Sequence, residues 1–482
     1  MFHSFSSPLL IGPRLLHLPG EIMTLAGGGG AVKGHVLIIP FPTSGHVIPL
    51  LDLTRLLAMR GLTVTVLATP QILPLLSAYP SSVNALVLQL LPPEAARDVA
   101  LASVYPRAAI QALGSLHGPL REWIAAQPNP PSVIISDMFV GWAHRLAEEV
   151  GIRRVLFSPS GAMALSVVFT LWRDMPKIAD SVSFPEIPNS PTYPWRQLSG
   201  LFQAHREGEP VSEFIREGFL ANMESWGVVV NTFNELEGPY MDHLRKIMGH
   251  DRVWATGPLL PPEADSFSRG GSSSVLADDM VSWLDSRKDG SVVYVCFGSQ
   301  VRLAEEQMTA LALGMEKSGA NFVWVVRADG PMKVLEGFED RVAGRGFVIK
   351  GWAPQLPILN HRAMGAFLTH CGWNSILEGI KAGVPMLAWP MGADQFVNAT
   401  LIVDQLKVAR RVSEGAGTVP DSDKLAEAIT ELIGEDRPER SRATEIKGAA
   451  VEAIDEGGCS YKDLDEFVKC IHASPLDSDI KS

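Results

Sequence analysis

Two groups of residues in this chain have the types and spacing to do chemistry. The denser group lies between Trp352 and Gln395. Met364 to Thr369 reads as a strand and Trp373 to Lys381 as a helix, which puts His370, Asn374 and Ser375 at the helix N-terminus. Unpaired backbone N–H groups and the positive end of the helix dipole favour a diphosphate at such a point. Glu378, one turn further on, is placed for a carboxylate to hold a ribose diol. Each member alone has a plainer reading. Asn374 or Ser375 serves as a helix cap, Trp352 as core packing, and Asp394 as the N-cap of a helix over 395–406. The cluster carries the nucleotide reading; no single residue does.

The second group is Phe41-Pro42-Thr43-Ser44-Gly45-His46, a loop that ends one strand and starts a helix. Histidine titrates near neutrality and suits general-base work. At a helix N-terminus the dipole disfavours imidazolium, leaving the ring free to accept a proton. Such a ring needs an orienting partner. Asp137, at the end of the strand Ser132 to Ser136, could fix its tautomer and stabilise the charge that develops. The plainer readings are a capping or surface histidine for His46 and the N-cap of a helix over 139–149 for Asp137. No Asp-x-Asp pair follows a strand in the way a magnesium site would need, so no metal is expected.

The elements that position these residues repeat one rhythm. His35 to Pro40 is a buried-strand pattern, 46–60 an amphipathic helix ended by Gly61, and Thr63 to Leu67 a strand. Ser291 to Phe297, a helix over 304–318 and Asn321 to Val326 repeat it. Strand–helix–strand units make parallel sheets with right-handed crossovers, so two doubly wound α/β domains are expected. The length, 482 residues, is itself too great for one core. Gly257 to Pro262 breaks regular structure, and a Ser-, Gly- and Asp-rich stretch over 263–279 reads as a flexible loop. The division expected is an extension over 1–33, a first domain over 34–256, linker and loop over 257–279, a second domain over 280–460, and a terminal helix and tail over 461–482 that could return to the first domain. His46, Asp137, Ser299 and His370 each follow a strand, and open parallel sheets bind ligands at that edge. The site therefore belongs between the domains.

Composition sets the outer limits. Hydrophobic residues are 46% and charged residues 20%, as in a globular enzyme. A net charge of −12 without basic blocks leaves no electrostatic footprint for nucleic acid or an anionic membrane. Four cysteines without a CxxC pair fit reduced thiols in a cytoplasmic protein. No apolar run reaches the ~20 residues that span a bilayer. The run Gly27 to Gly30 and the weakly basic start make 1–33 a tail, or an upstream start with Met23 as the ordinary one, rather than a signal peptide.

Trp352-Ala353-Pro354-Gln355, His370-Cys371-Gly372-Trp373-Asn374-Ser375, Glu378, Pro385 and Asp394-Gln395 together resemble the donor-binding box of plant family-1 UDP-glycosyltransferases. The resemblance extends through 35–70, 283–300 and 456–467. It implies a GT-B fold of two Rossmann-like domains facing across a cleft, and inverting, metal-independent transfer with UDP-glucose as co-substrate and no other cofactor. It implies that Trp352 stacks on uracil, that Ala353 bonds uracil through its backbone, and that Gln355 and Glu378 hold the ribose. His370, Asn374, Ser375 and Ser299 would bind the diphosphate, and Trp373, Asp394 and Gln395 the sugar. A closing Gln395 leans to glucose. His46 and Asp137 match the family's catalytic dyad. The implied acceptor is a flavonoid, other phenolic or terpenoid. The match at Ala393 to Phe396 and through Leu401-Ile402-Val403-Asp404 and Leu406-Lys407-Val408 leans to the flavonol-glycosylating branch.

The acceptor wall is expected from Phe139, Met163, Phe184 and Trp195, the last two in a Pro-rich stretch that reads as a binding loop. Core packing is the plainer reading of each. Two rivals stand beside the transferase. A Rossmann oxidoreductase would want G-x-G-x-x-G after strand one, where Pro40 to His46 lacks it. A non-catalytic UDP-sugar binder would need no base. A monomer is expected.

Overall fold

The computed structural model describes residues 34–87, 93–100, 102, 105–261, 266–267, 269–327, 330–331, 336–342, 344–434 and 437–473. The extension over 1–33 and the tail beyond 473 lie outside them, as do 262–265 and 268 of the linker loop. All five residues of His35–Ile39 and of Val292–Cys296 are buried. Strands covered by helices on both faces have no solvent side to mark with polar residues, so they read as unbroken apolar runs.

Seven parallel strands form the first sheet, in the spatial order Val83–Leu86, Thr63–Leu67, His35–Ile39, Val133–Asp137, Arg153–Ser158, Gly227–Val230, Val253–Ala255. Six parallel strands form the second, in the order Gly346–Lys350, Asn321–Val326, Val292–Cys296, Met364–Thr369, Met386–Ala388, Ala409–Arg411. In each sheet the strand order reverses once. The reversal falls between His35–Ile39 and Val133–Asp137 in the first, and between Val292–Cys296 and Met364–Thr369 in the second. Loops diverge at such a point and open a crevice. His46 and Asp137 follow the two strands at the first reversal, Ser299 and His370 those at the second.

Between the sheets the chain runs from Ala255 to the helix Ala277–Asp285. The last helix, Cys459–His472, packs Leu464, Phe467, Val468 and Ile471 against Val36, Leu62 and Trp254 under the first sheet. Asp463 accepts the Ala255 N–H at 2.8 Å and Arg60 pairs with Asp465 at 2.9 Å.

Two local expectations are corrected. The segment over 395–406 is a short α-helix, Gln395–Ala399, continued as a π-helix, Thr400–Gln405. The Pro-rich stretch is not an open loop. It is bracketed by the antiparallel pair Ser181–Ser183 and Thr192–Pro194, which folds Phe184 into the core.

Candidate active site

His46 lies in the first turn of the helix Ser44–Met59, and its backbone N–H bonds the Thr43 carbonyl at 2.9 Å. Its ring packs against Phe41 and Phe139, with centroids 5.4 and 4.7 Å away. Nδ1 meets Asp137 Oδ2 at 2.8 Å. Asp137 is fully buried, and its Oδ1 accepts the Phe139 N–H at 2.8 Å. That bond spans only residues 137–139, and the following helix starts at Ala143 with Trp142 as its N-cap, so Asp137 does not cap it. A carboxylate only accepts, so Nδ1 is the donor of this pair, and in the neutral ring it is Nε2 that carries the lone pair. His46 also lines a cavity of about 560 Å³ between the two sheets.

The opposite wall of this cavity is the segment around the helix Trp373–Ala382. Its N-cap is Gly372, without a side-chain cap, so neither Asn374 nor Ser375 fills that role. The first-turn N–H groups are therefore open to a ligand. Cys371 turns the chain from strand to helix at φ 65°, a region that non-glycine residues rarely adopt. His370 lies between two glycines. A Cβ on Gly298 would come within 2.7 Å of its ring, and one on Gly372 within 2.5 Å. Burial pushes the His370 imidazole down to about 4, so at neutral pH it offers a hydrogen bond rather than a full charge.

All the residues expected on the donor side line this one cavity: Ser299 from the facing loop, Trp352, Ala353 and Gln355, His370, and Trp373 through Glu378 to Asp394 and Gln395. Their hydrogen bonds refine the expectations. The Trp373 indole N–H is already committed to the Asn231 carbonyl at 2.7 Å, so that group does not face a sugar. Gln395 Oε1 accepts the N–H groups of Met391 and Gly392 at 2.9 and 3.1 Å, which leaves its amide N–H groups to donate. Asp394 is the N-cap residue of its helix, as the plainer reading had it, but its side chain makes no capping bond; Oδ2 accepts instead from Ser160 Oγ at 2.8 Å, across the cleft.

A second bond crosses the cleft beside the histidine. Asn374 Nδ2 donates to the Gly45 carbonyl at 2.9 Å. Gly45 would ordinarily accept the helical N–H of residue 49, but residue 49 is proline and has none. Pro49 thus frees the carbonyl that ties the donor-side helix to the residue before His46.

Residues missed by the sequence reading cluster in the linker. Arg269 donates to Asp52 Oδ2 at 2.8 Å and to Glu378 Oε1. Ser274 Oγ accepts the Trp352 N–H at 2.7 Å, and a Cβ on Gly270 would come within 2.7 Å of the Trp352 indole. The stretch read from composition as a flexible loop is, over 269–274, seated on the cleft. The available signals were an aspartate inside a leucine run, Leu50-Leu51-Asp52-Leu53, and an arginine inside a Ser-Gly stretch.

On the acceptor side only Phe139 touches the site, through the His46 ring. Met163 and Phe184 are each 1% exposed and lie in the hydrophobic core. Trp195 packs on that core beside Phe202, with ring centroids 5.9 Å apart. None of the four candidates lines the cavity itself; Met163 and Phe184 are core residues, and Trp195 is half-buried. Among the described residues no helix is long and apolar enough to cross a membrane, and no cluster of three or more His, Cys, Asp or Glu is arranged to hold a metal.

Residues 268–438 match the family model described as UDP-glucuronosyl and UDP-glucosyl transferase. The chain is 52% identical over 458 residues to UDP-glycosyltransferase 89B2 of Stevia rebaudiana, covering 90% of this chain and 97% of that one. The chain belongs to the plant family-1 UDP-glycosyltransferases. The transferase is also 49% identical to the flavonol 3-O-glucosyltransferase UGT89B1 of Arabidopsis thaliana, over 91% of its own length and 96% of the relative's. Arabidopsis UGT89C1, solved with UDP-L-rhamnose, superposes with a TM-score of 0.77 at 39% identity, covering 92% of the transferase and 100% of that chain. The two parallel sheets facing a shared cavity are the GT-B fold, and the transferase is a UDP-sugar-dependent glycosyltransferase.

Proposed function

We propose that the transferase moves glucose from UDP-glucose to a hydroxyl of a flavonol or similar phenolic, with inversion at the anomeric carbon. The observation that carries this reading is the pairing of His46 with buried Asp137 on one wall of a cavity whose other wall is an uncapped helix N-terminus. His46 Nε2 takes the acceptor's hydroxyl proton as its oxygen attacks the anomeric carbon. The bond from that carbon to the β-phosphate oxygen breaks, and UDP leaves with the electron pair. Its charge is met by the first-turn N–H groups of Trp373–Ala382 and by an N–H of His370. Asp137 stabilises the imidazolium formed. Trp352 stacks on uracil, Gln355 and Glu378 hold the ribose, and Asp394 and Gln395 read the sugar. The chain divides functionally into an acceptor half over 34–256 and a donor half over 280–460.

The likeness to a flavonol glucosyltransferase supports the acceptor class, and Gln395 supports glucose. The likeness to an enzyme solved with UDP-L-rhamnose makes rhamnose the second donor to test. Purified transferase is incubated with either donor and a panel of flavonols and other phenolics, and products are read by mass spectrometry. Hexose addition to flavonols is expected; deoxyhexose addition alone, or products only from non-phenolic acceptors, refutes the assignment. In the same assay His46→Ala loses at least ~10²-fold in kcat while UDP still binds.

A further inference from the structure

Glu378, proposed above to hold the ribose, sits in a buried triad with Asp52 and Arg269, neither of which has a part in the transfer steps above. Arg269 enters from the linker, with its side chain only 10% exposed. Nη2 and Nε both reach Asp52 Oδ2, at 2.8 and 3.1 Å, and Nη2 also points to the Leu259 carbonyl at 3.4 Å. These contacts anchor the guanidinium to the helix that carries His46. Nη1 is left over, and it donates across the cleft to Glu378 Oε1. Glu378 Oε2 accepts from Gln355 Nε2, and Gln355 is itself fixed by Tyr294 Oη at 3.2 Å and Ser375 Oγ at 3.0 Å.

A carboxylate oxygen has two lone-pair sites. One on each Glu378 oxygen is committed, so one on each remains, side by side. That is what a vicinal diol needs in order to donate two hydroxyls. The carboxylate must also stay ionised, because a protonated one offers a donor where an acceptor is wanted. Burial pushes Glu378 up, towards protonation, and the Arg269 guanidinium is the main opposing influence. Asp52 is likewise pushed up by burial and held down by Arg269.

We propose that Arg269 is a positioning residue for donor binding: it fixes the Glu378 carboxylate that receives the ribose diol, and through Asp52 ties that grip to the helix bearing the base. This rests on Glu378 being the ribose group, as proposed above. A guanidinium that merely occupied the ribose position would act in the opposite sense, as a plug that the nucleotide must displace.

The test measures binding of UDP and of 2′-deoxy-UDP by calorimetry. Wild-type protein is expected to favour UDP about tenfold or more, the scale of one hydrogen bond to a charged group. R269Q brings that ratio close to one while leaving 2′-deoxy-UDP within about threefold of its wild-type affinity. R269K, which keeps a cation but loses the planar fork, falls between, and remains measurable even where the glutamine variant unfolds. In an E378Q background R269Q has no further effect on the ratio, as expected of residues acting through one contact. Equal weakening of both ligands by R269Q would mark a structural role and overturn the proposal, and tighter UDP binding would mark a plug. If E378Q collapses the ratio and the Arg269 variants do not, this inference alone fails. If E378Q leaves the ratio untouched, the ribose assignment fails and takes the inference with it.

Discussion

Replacing Asp137 by Asn should harm the transferase more than replacing it by Ala, although Asn is the closer mimic. The reason lies in the two bonds that Asp137 makes. Oδ1 accepts the Phe139 N–H at 2.8 Å, and Oδ2 accepts from His46 Nδ1 at 2.8 Å. An Asn at 137 must keep its oxygen on the Phe139 N–H, because the reverse orientation sets two buried donors against each other at a cost of about 1–3 kcal/mol. Its NH2 then faces Nδ1 and donates to it. The His46 proton moves to Nε2, the atom that has to take the acceptor's proton. A histidine locked in the wrong tautomer loses its function as a base, which is worth roughly 10³-fold or more in kcat. Asp137→Ala removes the orienting bond but leaves the tautomer free, and a loss of about 10²-fold is expected. Both variants remove the charge opposite fully buried Arg154, whose guanidinium is pushed down to about 9 by burial and supported by Asp137. Ala also leaves the Phe139 N–H without the acceptor that Asn keeps, so the Ala variant should be the less stable of the two, and melting curves check that the slower Asn variant is not slow through misfolding. The assay is UDP release at saturating donor and acceptor, with the Kd for UDP measured alongside. An Asn variant as active as the Ala variant, or loss of UDP binding in parallel with kcat, refutes the tautomer argument.

Two further outcomes follow from the donor wall. Ser160→Ala removes the 2.8 Å bond to Asp394 Oδ2. It should lower kcat/KM for UDP-glucose by about 2- to 10-fold, the equivalent of ~0.5–1.5 kcal/mol, with the Kd of UDP alone unchanged; parallel weakening of UDP would place Asp394 away from the sugar. His370 has a folded value of about 4 against an unfolded value near 6.5, because burial disfavours its charge. The unfolded chain takes up the proton first, so the stability that His370 contributes as a neutral group is full above pH ~6.5 and lost as pH falls towards 4. At most about 3 kcal/mol is at stake. Urea unfolding of wild type and His370→Gln from pH 7.5 down to 4.5 should show the wild type losing more, and parallel curves would deny the shift.

The sequence by itself determined the two doubly wound sheets, the helix tip at Trp373 and the strand ends carrying His46, Asp137, Ser299 and His370. These are local: a buried strand is an unbroken apolar run, a helix a 3.6-residue rhythm, and a ligand edge the residue after a strand. The donor box lay within one stretch, from Trp352 to Gln395, where spacing alone brings groups together. Tertiary structure decided the rest, because side chains far apart in the chain meet only after packing. Arg269 reaches Asp52, 217 residues away in sequence, and Ser160 reaches Asp394, 234 away. Asn374 meets a Gly45 carbonyl that Pro49 leaves open, which no periodicity announces. Aromatic and apolar side chains misled for the same reason. Met163 and Phe184 suit a ligand wall as well as a core, and only the burial of their faces between elements chose the core.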